Sequence, residues 1–515
     1  MNLIKRFAGI VAGAAVTAVL TAGPGSAQED KRPILRVAVQ ANPATAEVID
    51  PESNVGYRTN YSIHDTLLQF DFGGDMSLKP HLALSWEWVE PAVLEVKLRQ
   101  GVKFQDGNEM TSDDVVFSFG PERMTGEKAP GLPMVRRYWV SLDHVEAVDK
   151  YTVRFHTKYA DPIFLQRLTA WTSQIISKAS FLAAKDYNAW RIKPIGAGPY
   201  KVDHITPNDE TVLVANDDYW GGKPAAKKVI FTVVPEVSAR VAGLLAGDYD
   251  IATDLPPDQL KSVESAKGVS VVGGPVNNHR IIWFDKTNPV VADPRIRQAM
   301  SLALNRQLIV DTIWGGRTKV PNGLQYDFFG DMYLADYPAY KYDPEKAKQL
   351  IKEAGYEGEQ IEYRSNNNYY TAEVAVSQAM TAMWQAVGLN VRLDVGEKGM
   401  TEPKNRAVGN WSNSALLPDP LFSLWSQHGP ASAQKARGIW SNDEFYKLGE
   451  QLEHATKLED RRNAFRAMMD INEWKDPGVI TLYQNAVFYG VSNKVDWKPY
   501  VFFYMDLGPQ RLAFK

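Results

Sequence analysis

The chain is 515 residues long, well past the size at which one hydrophobic core keeps growing, so two or more lobes are expected. Hydrophobic residues make up 44% and charged residues 23%, and a net charge of −4 lacks the basic footprint that a nucleic-acid partner requires. There is no cysteine, which excludes disulfides, thiol catalysis and cysteine-based zinc or iron–sulfur sites.

Lys5 and Arg6 precede an apolar, alanine-rich run from Phe7 to Ala22, and small residues at Gly25 and Ala27 suit a signal-peptidase cut before Gln28. Residues 1–27 therefore read as an export signal. The apolar run falls short of the ~20 residues of a spanning helix, and no long uncharged apolar stretch follows it.

Ile34 to Val39 is rich in β-branched residues and reads as a first strand. Val93 to Leu98 alternates apolar and charged residues, as a half-buried antiparallel strand does. Thr111 to Arg123 reads as a helix, with Thr111 or Ser112 as cap and Asp113-Asp114 in the first turn. Tyr151 to His156 is a further strand. Pro194 to Tyr200, with two glycines and two prolines, reads as a crossover between lobes. Strands at Thr211–Ala215, Lys228–Val234 and Tyr249–Ala252 enclose a helix from Glu236 to Ala246, and strand–helix–strand order implies a parallel α/β unit. Ile281–Phe284 is a short apolar strand, and Pro294 to Ile313 reads as one helix stopped by Gly315-Gly316. Helices at Pro344–Ala354 and Thr371–Val387, a strand at Asn390–Val395, helices at Phe445–Ala455 and Asp460–Trp474, and a strand at Val479–Leu482 complete the reading. The class is mixed α/β, without internal repeats.

Catalytic signatures are absent: no G-x-S-x-G elbow, no Walker loop and no H-E-x-x-H. The eight histidines are dispersed, none paired at helical ligand spacing, so neither a metal nor a cofactor is expected. Asp113-Asp114 and Asp217-Asp218 are adjacent carboxylates, and neighbours in sequence do not face each other, so both read as caps rather than proton-sharing dyads. Aromatic residues are 11% of the chain. Several stand beside amides, as at Asn277-Asn278-His279, Asn366 to Tyr370 and Asn410 to Asn413; flat faces with amide donors and acceptors suit a small polar solute.

Specific motifs sharpen this. The blocks Leu78-Lys79-Pro80-His81-Leu82-Ala83, Leu98-Arg99-Gln100-Gly101-Val102-Lys103-Phe104-Gln105-Asp106-Gly107 and Thr111-Ser112-Asp113-Asp114-Val115-Val116-Phe117-Ser118 resemble the signature of the family 5 extracellular solute-binding proteins, with Gln105 where the usual pattern has His. Gly196-Ala197-Gly198-Pro199-Tyr200, Asn216 to Trp220, Asp293 to Ala299, Ala303 to Arg306 and Tyr342 to Lys348 resemble further motifs of that family in the same order.

The resemblance implies a periplasmic-binding-protein-like α/β fold of the cluster C type, two main lobes joined by a hinge plus an inserted third. Lobe I would comprise 28–60, 192–277 and 485–515, with lobe II inserted at 61–191 and lobe III at 278–484. It implies a periplasmic, non-enzymatic and monomeric subunit of an ABC importer. Such a subunit encloses a small solute between lobes I and III and delivers it to an inner-membrane permease with cytoplasmic ATPase subunits. By position, the family's cleft residues fall at Gln40, Asn42, Asn277, Asn278, His279, Asn367, Tyr369, Asn413, Leu416, Asp419 and Tyr483. Peptide-binding members hold the ligand's ammonium with an Asp a few residues before an acidic-Pro pair; Asp419-Pro420 fits the pair, and Leu416 stands where that Asp would be. A buried ammonium without a carboxylate is costly, so a sugar or opine-type conjugate stands beside a free peptide as the expected solute. A secreted hydrolase is the reading of another class, marked by a convergent carboxylate pair with one strongly raised pKa.

Overall fold

The computed structural model describes residues 30–50, 54–367, 369–396 and 406–515; the expected export signal lies outside them. The alternation in Val93–Leu98 turns Leu94, Val96 and Leu98 inward. That strand lies between Ala83–Glu90 and Thr152–Thr157, and Leu142–Asp149 forms the edge of this antiparallel four-stranded sheet. The whole sheet belongs to the segment expected as the inserted lobe.

A ten-stranded sheet carries the rest. Its order is Val391–Gly396, Ile361–Asn366, Arg406–Ser414, Val269–Phe284, Val479–Ser492, Ile251–Ala252, Ile34–Val39, Lys228–Val233, Glu210–Ala215 and Tyr200–Thr206. Ile34–Val39 runs parallel to both Lys228–Val233 and Ile251–Ala252, and the helix Val237–Ala246 between these two ends at Gly247 with φ 85°. This is the parallel unit that the strand–helix–strand order predicts.

Two strands are far longer than their apolar cores suggest. Val269–Phe284 and Val479–Ser492 run antiparallel through the middle of the sheet. The C-terminal half of the first pairs with Arg406–Ser414, while the C-terminal half of the second pairs with Ile251–Ala252. Gly273, Gly274, Pro275 and the two asparagines look like breakers in sequence, and the strand absorbs them as an irregularity between Pro275 and His279. At Gly273 (φ 107°) an added Cβ would lie 2.1 Å from the Val487 carbonyl oxygen, so glycine is required there. The expected boundary between lobes I and III, at 277/278, falls at this break in the ladder.

The expected helix Pro294–Ile313 is two helices, Pro294–Leu302 and Arg306–Ile313. Asn305 interrupts it: its side-chain oxygen accepts the Leu308 N–H at 3.0 Å and caps the second helix. The helix expected over Thr111–Arg123 stops at Ser118, and Pro121 opens a separate π-turn. Its N-terminus is a capping box in which Asp114 accepts the Thr111 N–H at 2.9 Å. Asp217 pairs with Arg32 at 2.7 Å and Lys223 at 3.1 Å. No helix among the described residues is long and apolar enough to cross a membrane.

Candidate functional site

A cavity of about 410 Å³ opens where segments expected in three different lobes converge. One wall is the strand Arg406–Ser414, which presents Gly409 to Ser414 and leads to Leu416. The loop after Ile361–Asn366 supplies Tyr369 and Tyr370. Arg137 and Tyr138 end the helix Leu132–Tyr138, in the segment expected as the inserted lobe, and Asn54 and Tyr57 come from the segment expected in lobe I. Phe422 stacks on Tyr138 with ring centroids 5.2 Å apart, which ties the helix Leu132–Tyr138 to the turn Pro420–Phe422 along this edge. Arg137 Nε donates to the Ser426 carbonyl at 2.8 Å on the same edge.

Behind the wall lies a buried charge scaffold. Arg280, 1% exposed, has its guanidinium 3.9 Å from the Tyr370 ring centroid and 3.3 Å from the Glu373 carboxylate. Glu373 accepts the backbone N–H groups of Asn366 (3.1 Å) and Tyr370 (3.0 Å) and the Asn410 amide (2.9 Å). One carboxylate thus fixes both the tyrosine loop and the strand wall. Ala372, just after the tyrosines, holds a left-handed backbone with φ 55°, a strained conformation for a residue with a Cβ.

The charged side chains among the described residues lining the cavity are all guanidinium groups. Arg137, Arg364 and Arg437 line it, and no described lining residue is Asp or Glu. Arg364 is steadied by Asp394 at 2.7 Å on the adjacent strand, and it lies over Gly396, where a Cβ would collide with its guanidinium. The carboxylate pair of a hydrolase has no counterpart among the described lining residues.

Of the residues expected at a cleft, Tyr369, Asn413 and Leu416 line this cavity. Tyr369 and Tyr370, at a centroid distance of 4.7 Å, also face a second space of about 430 Å³ that holds Gln40, Arg240 and Asp254. Gln40 therefore sits behind the tyrosines. The other seven lie outside both spaces, each with another occupation. Asn42 bonds Thr206, Asn208 and Thr211, tying the first strand's end to a hairpin. Asn277 uses its backbone, to Val501 at 2.7 Å and from Ala415 at 3.1 Å. Asn278 is fully buried against Ser414 and Asn485. His279 stacks on Tyr326 at 4.1 Å, and burial pushes its imidazole down to about 3. Asn367 is exposed, its N–H donating to the Gly396 carbonyl. Asp419 caps the turn Pro420–Phe422 and pairs with Arg461 at 2.9 Å, 2% exposed, so its carboxylate is already engaged. Tyr483 is buried against Trp314.

Sequence reasoning passed over Arg137, Tyr138, Arg364 and the Arg280–Glu373 scaffold. Nothing local marks an arginine as cavity-lining. The available signals were the aromatic–amide stretches Asn366 to Tyr370 and Asn410 to Asn413, the second of which proves to be a strand wall.

Residues 77–433 match the family described as bacterial extracellular solute-binding proteins, family 5 middle. The oligopeptide-binding protein AppA of Bacillus subtilis is 31% identical over 399 residues, 72% of this chain and 70% of AppA. DppA of Helicobacter pylori, solved with the peptide STSA, matches with a TM-score of 0.81 at 22% identity, over 93% of this chain and 98% of DppA. AgaA of A. tumefaciens R10, solved with agropinic acid, matches with a TM-score of 0.79 at 20% identity, over 94% of this chain and 99% of AgaA. The two solved structures establish likeness of fold.

Proposed function

The chain belongs to the family 5 bacterial extracellular solute-binding proteins, and on that premise we propose that it is the substrate-binding subunit of an ABC importer. In this reading it captures a small polar solute, a peptide or peptide-like molecule, between lobes I and III. It hands that solute to an inner-membrane permease driven by cytoplasmic ATPase subunits. It acts in the periplasm, after loss of residues 1–27, as a carrier that leaves the solute's bonds unchanged.

The observation that carries the reading is the cavity itself. Residues distant in sequence, among them Tyr57, Tyr138, Tyr370 and Asn413, converge on about 410 Å³, within the range of small-molecule sites. A solute touching walls on separate lobes binds the closed arrangement better than the open one, and that difference drives closure. The closed form is what a permease can distinguish from the empty protein.

Within this function, an anionic peptide-like or opine-type solute is favoured over a free-amino-terminus peptide. Leu416 lines the cavity and supplies no charge, whereas three guanidinium groups do. An α-ammonium there would be desolvated without a described carboxylate partner, while a solute carboxylate meets Arg437, Arg364 being already paired with Asp394.

A thermal-shift screen of the exported chain tests both levels, with free and N-acetylated di- and tripeptides, opines and neutral sugars. A solute at 100 times its dissociation constant adds about 2.7 kcal/mol of stability. Saturable shifts with acidic or N-blocked solutes are expected. If no member of the panel shifts the transition, the carrier reading fails; if only free peptides do, the anionic preference fails.

A further inference from the structure

The outer face of the inserted sheet carries a second site that shares no residue with the cavity and does not rest on the transport reading. We propose that His144, Glu146 and His156 bind a divalent transition-metal ion of the zinc, nickel or copper type.

The strand register brings these residues together. His144 on the edge strand Leu142–Asp149 lies directly opposite His156 on Thr152–Thr157. Their imidazoles stack at 4.3 Å with planes 4° apart. Glu146, two residues beyond His144, is on the same face, and its carboxylate lies 3.2 Å from His156 Nε2. One donor atom from each of the three falls within 4.8 Å of the others. Around a tetrahedral ion with bonds of about 2.0–2.1 Å, donors stand roughly 3.3 Å apart, so closure of at most about 1.5 Å is needed. Solvent-exposed side chains supply that movement by rotamer changes.

A second feature makes this more than a chance cluster. The register skips one residue between Leu142 and His144, which makes Asp143 the extra residue of a bulge. In a regular strand, Asp143 and His144 would point to opposite faces. The bulge instead sets the Asp143 carboxylate 2.9 Å from His144 Nδ1, which leaves Nε2 as the outward donor. A carboxylate behind a ligating histidine fixes the ring's orientation and raises its basicity. Arg154, the cationic neighbour on this face, is engaged by Glu95 at 2.9 Å. Two imidazoles and one carboxylate suit borderline metals and leave coordination positions for water, with copper held most tightly.

The test is isothermal titration of the untagged exported chain with ZnCl2, NiCl2 and CuCl2, and with CaCl2 as an oxygen-seeking control. One transition-metal ion per chain and no calcium uptake at the same concentrations are expected. The H144A/H156A double variant should lose at least tenfold in affinity, and D143N about tenfold through loss of the orienting carboxylate. Circular dichroism checks that each variant is folded, and H144Q provides a milder replacement should the double variant not be. Two results overturn the site. One is no saturable binding of the three metals; the other is binding that survives the double variant unchanged, which would place the ion elsewhere, as on His204 with Asp203 and Glu210.

Discussion

Arg167, at the end of the helix Phe164–Arg167, pairs with Glu453 of the helix Asp443–His454 at 2.5 Å, with side chains 1% and 5% exposed. The same guanidinium holds Asp161 at 2.6 Å, and the Tyr159 hydroxyl donates to Glu453 at 2.9 Å. Burial raises the Glu453 carboxyl, and Arg167 pulls it back. Two carboxylates and one guanidinium thus form a dry joint between segments that are distant in sequence.

Removing the guanidinium leaves Asp161 and Glu453 facing each other without a counter-ion. Arg167→Ala is expected to cost about 3–5 kcal/mol, the range for breaking a buried pair from one side. Urea melts followed by tryptophan fluorescence give the value. A loss under 1 kcal/mol would show that the joint relaxes freely.

Asp65 sets a pH dependence. Burial pushes its carboxyl up to about 8, against the pull of the Trp220 indole, which donates to it at 2.7 Å. His81, 3.8 Å away, is driven down to about 4 by burial, so the pair meets as two neutral groups near pH 6. Between the ordinary value of 3.8 and about 8, the folded chain keeps a proton that the unfolded chain has lost. Stability from this group is therefore complete below pH 3.8 and declines as pH rises, by about 1.4 kcal/mol per unit in that window. Asp65→Asn should remove this slope. Denaturation at pH 5 and pH 8 should show the variant gaining on the parent by a few kcal/mol at the higher pH; a constant difference would refute the assignment.

Trp411 is a cavity aromatic that the core does not need. It is 38% exposed and stands on the strand wall, its backbone paired with Ile281 and its carbonyl accepting from Arg280 at 3.3 Å. Trp411→Ala is expected to weaken solute binding by tenfold or more and to change stability by no more than about 0.5 kcal/mol. Calorimetry with any solute found in the screen reads the first figure, and thermal unfolding the second.

The cap at Asn305 has a simpler consequence. Asn305→Ala strips the Leu308 N–H of its acceptor and should cost about 1 kcal/mol. Asn305→Gly should cost only a few tenths, because glycine also tolerates the cap position. Equal losses in the two variants would mean that the side-chain bond contributes nothing.

Much of the local structure was legible in sequence because its causes are local. Ile34–Val39 and Val93–Leu98 follow from residue type and alternation, and Thr111 as one of two candidate caps from its residue type, whereas the reciprocal capping box there emerged only in the structure. The family followed from long ordered motifs for the same reason, since they sit in contiguous runs. The site was legible only in part. Of the positions carried over, Tyr369, Asn413 and Leu416 line the main cavity, while Asp419 is drawn to Arg461 and Asn278 to Ser414. A loop residue's orientation depends on partners hundreds of positions away, and a shift of one residue turns a side chain to the other face.

The sequence alone determined the α/β class, the lack of thiol chemistry and the family motifs, because composition, periodicity and contiguous patterns are properties of the chain itself. Tertiary structure decided which arginines face the cavity, that Glu373 and Arg280 brace its wall, and that His144 meets His156 across a bulged pair of strands. Those are facts of register and packing. They come into being when distant segments exchange water for one another, and no local pattern of residues encodes them.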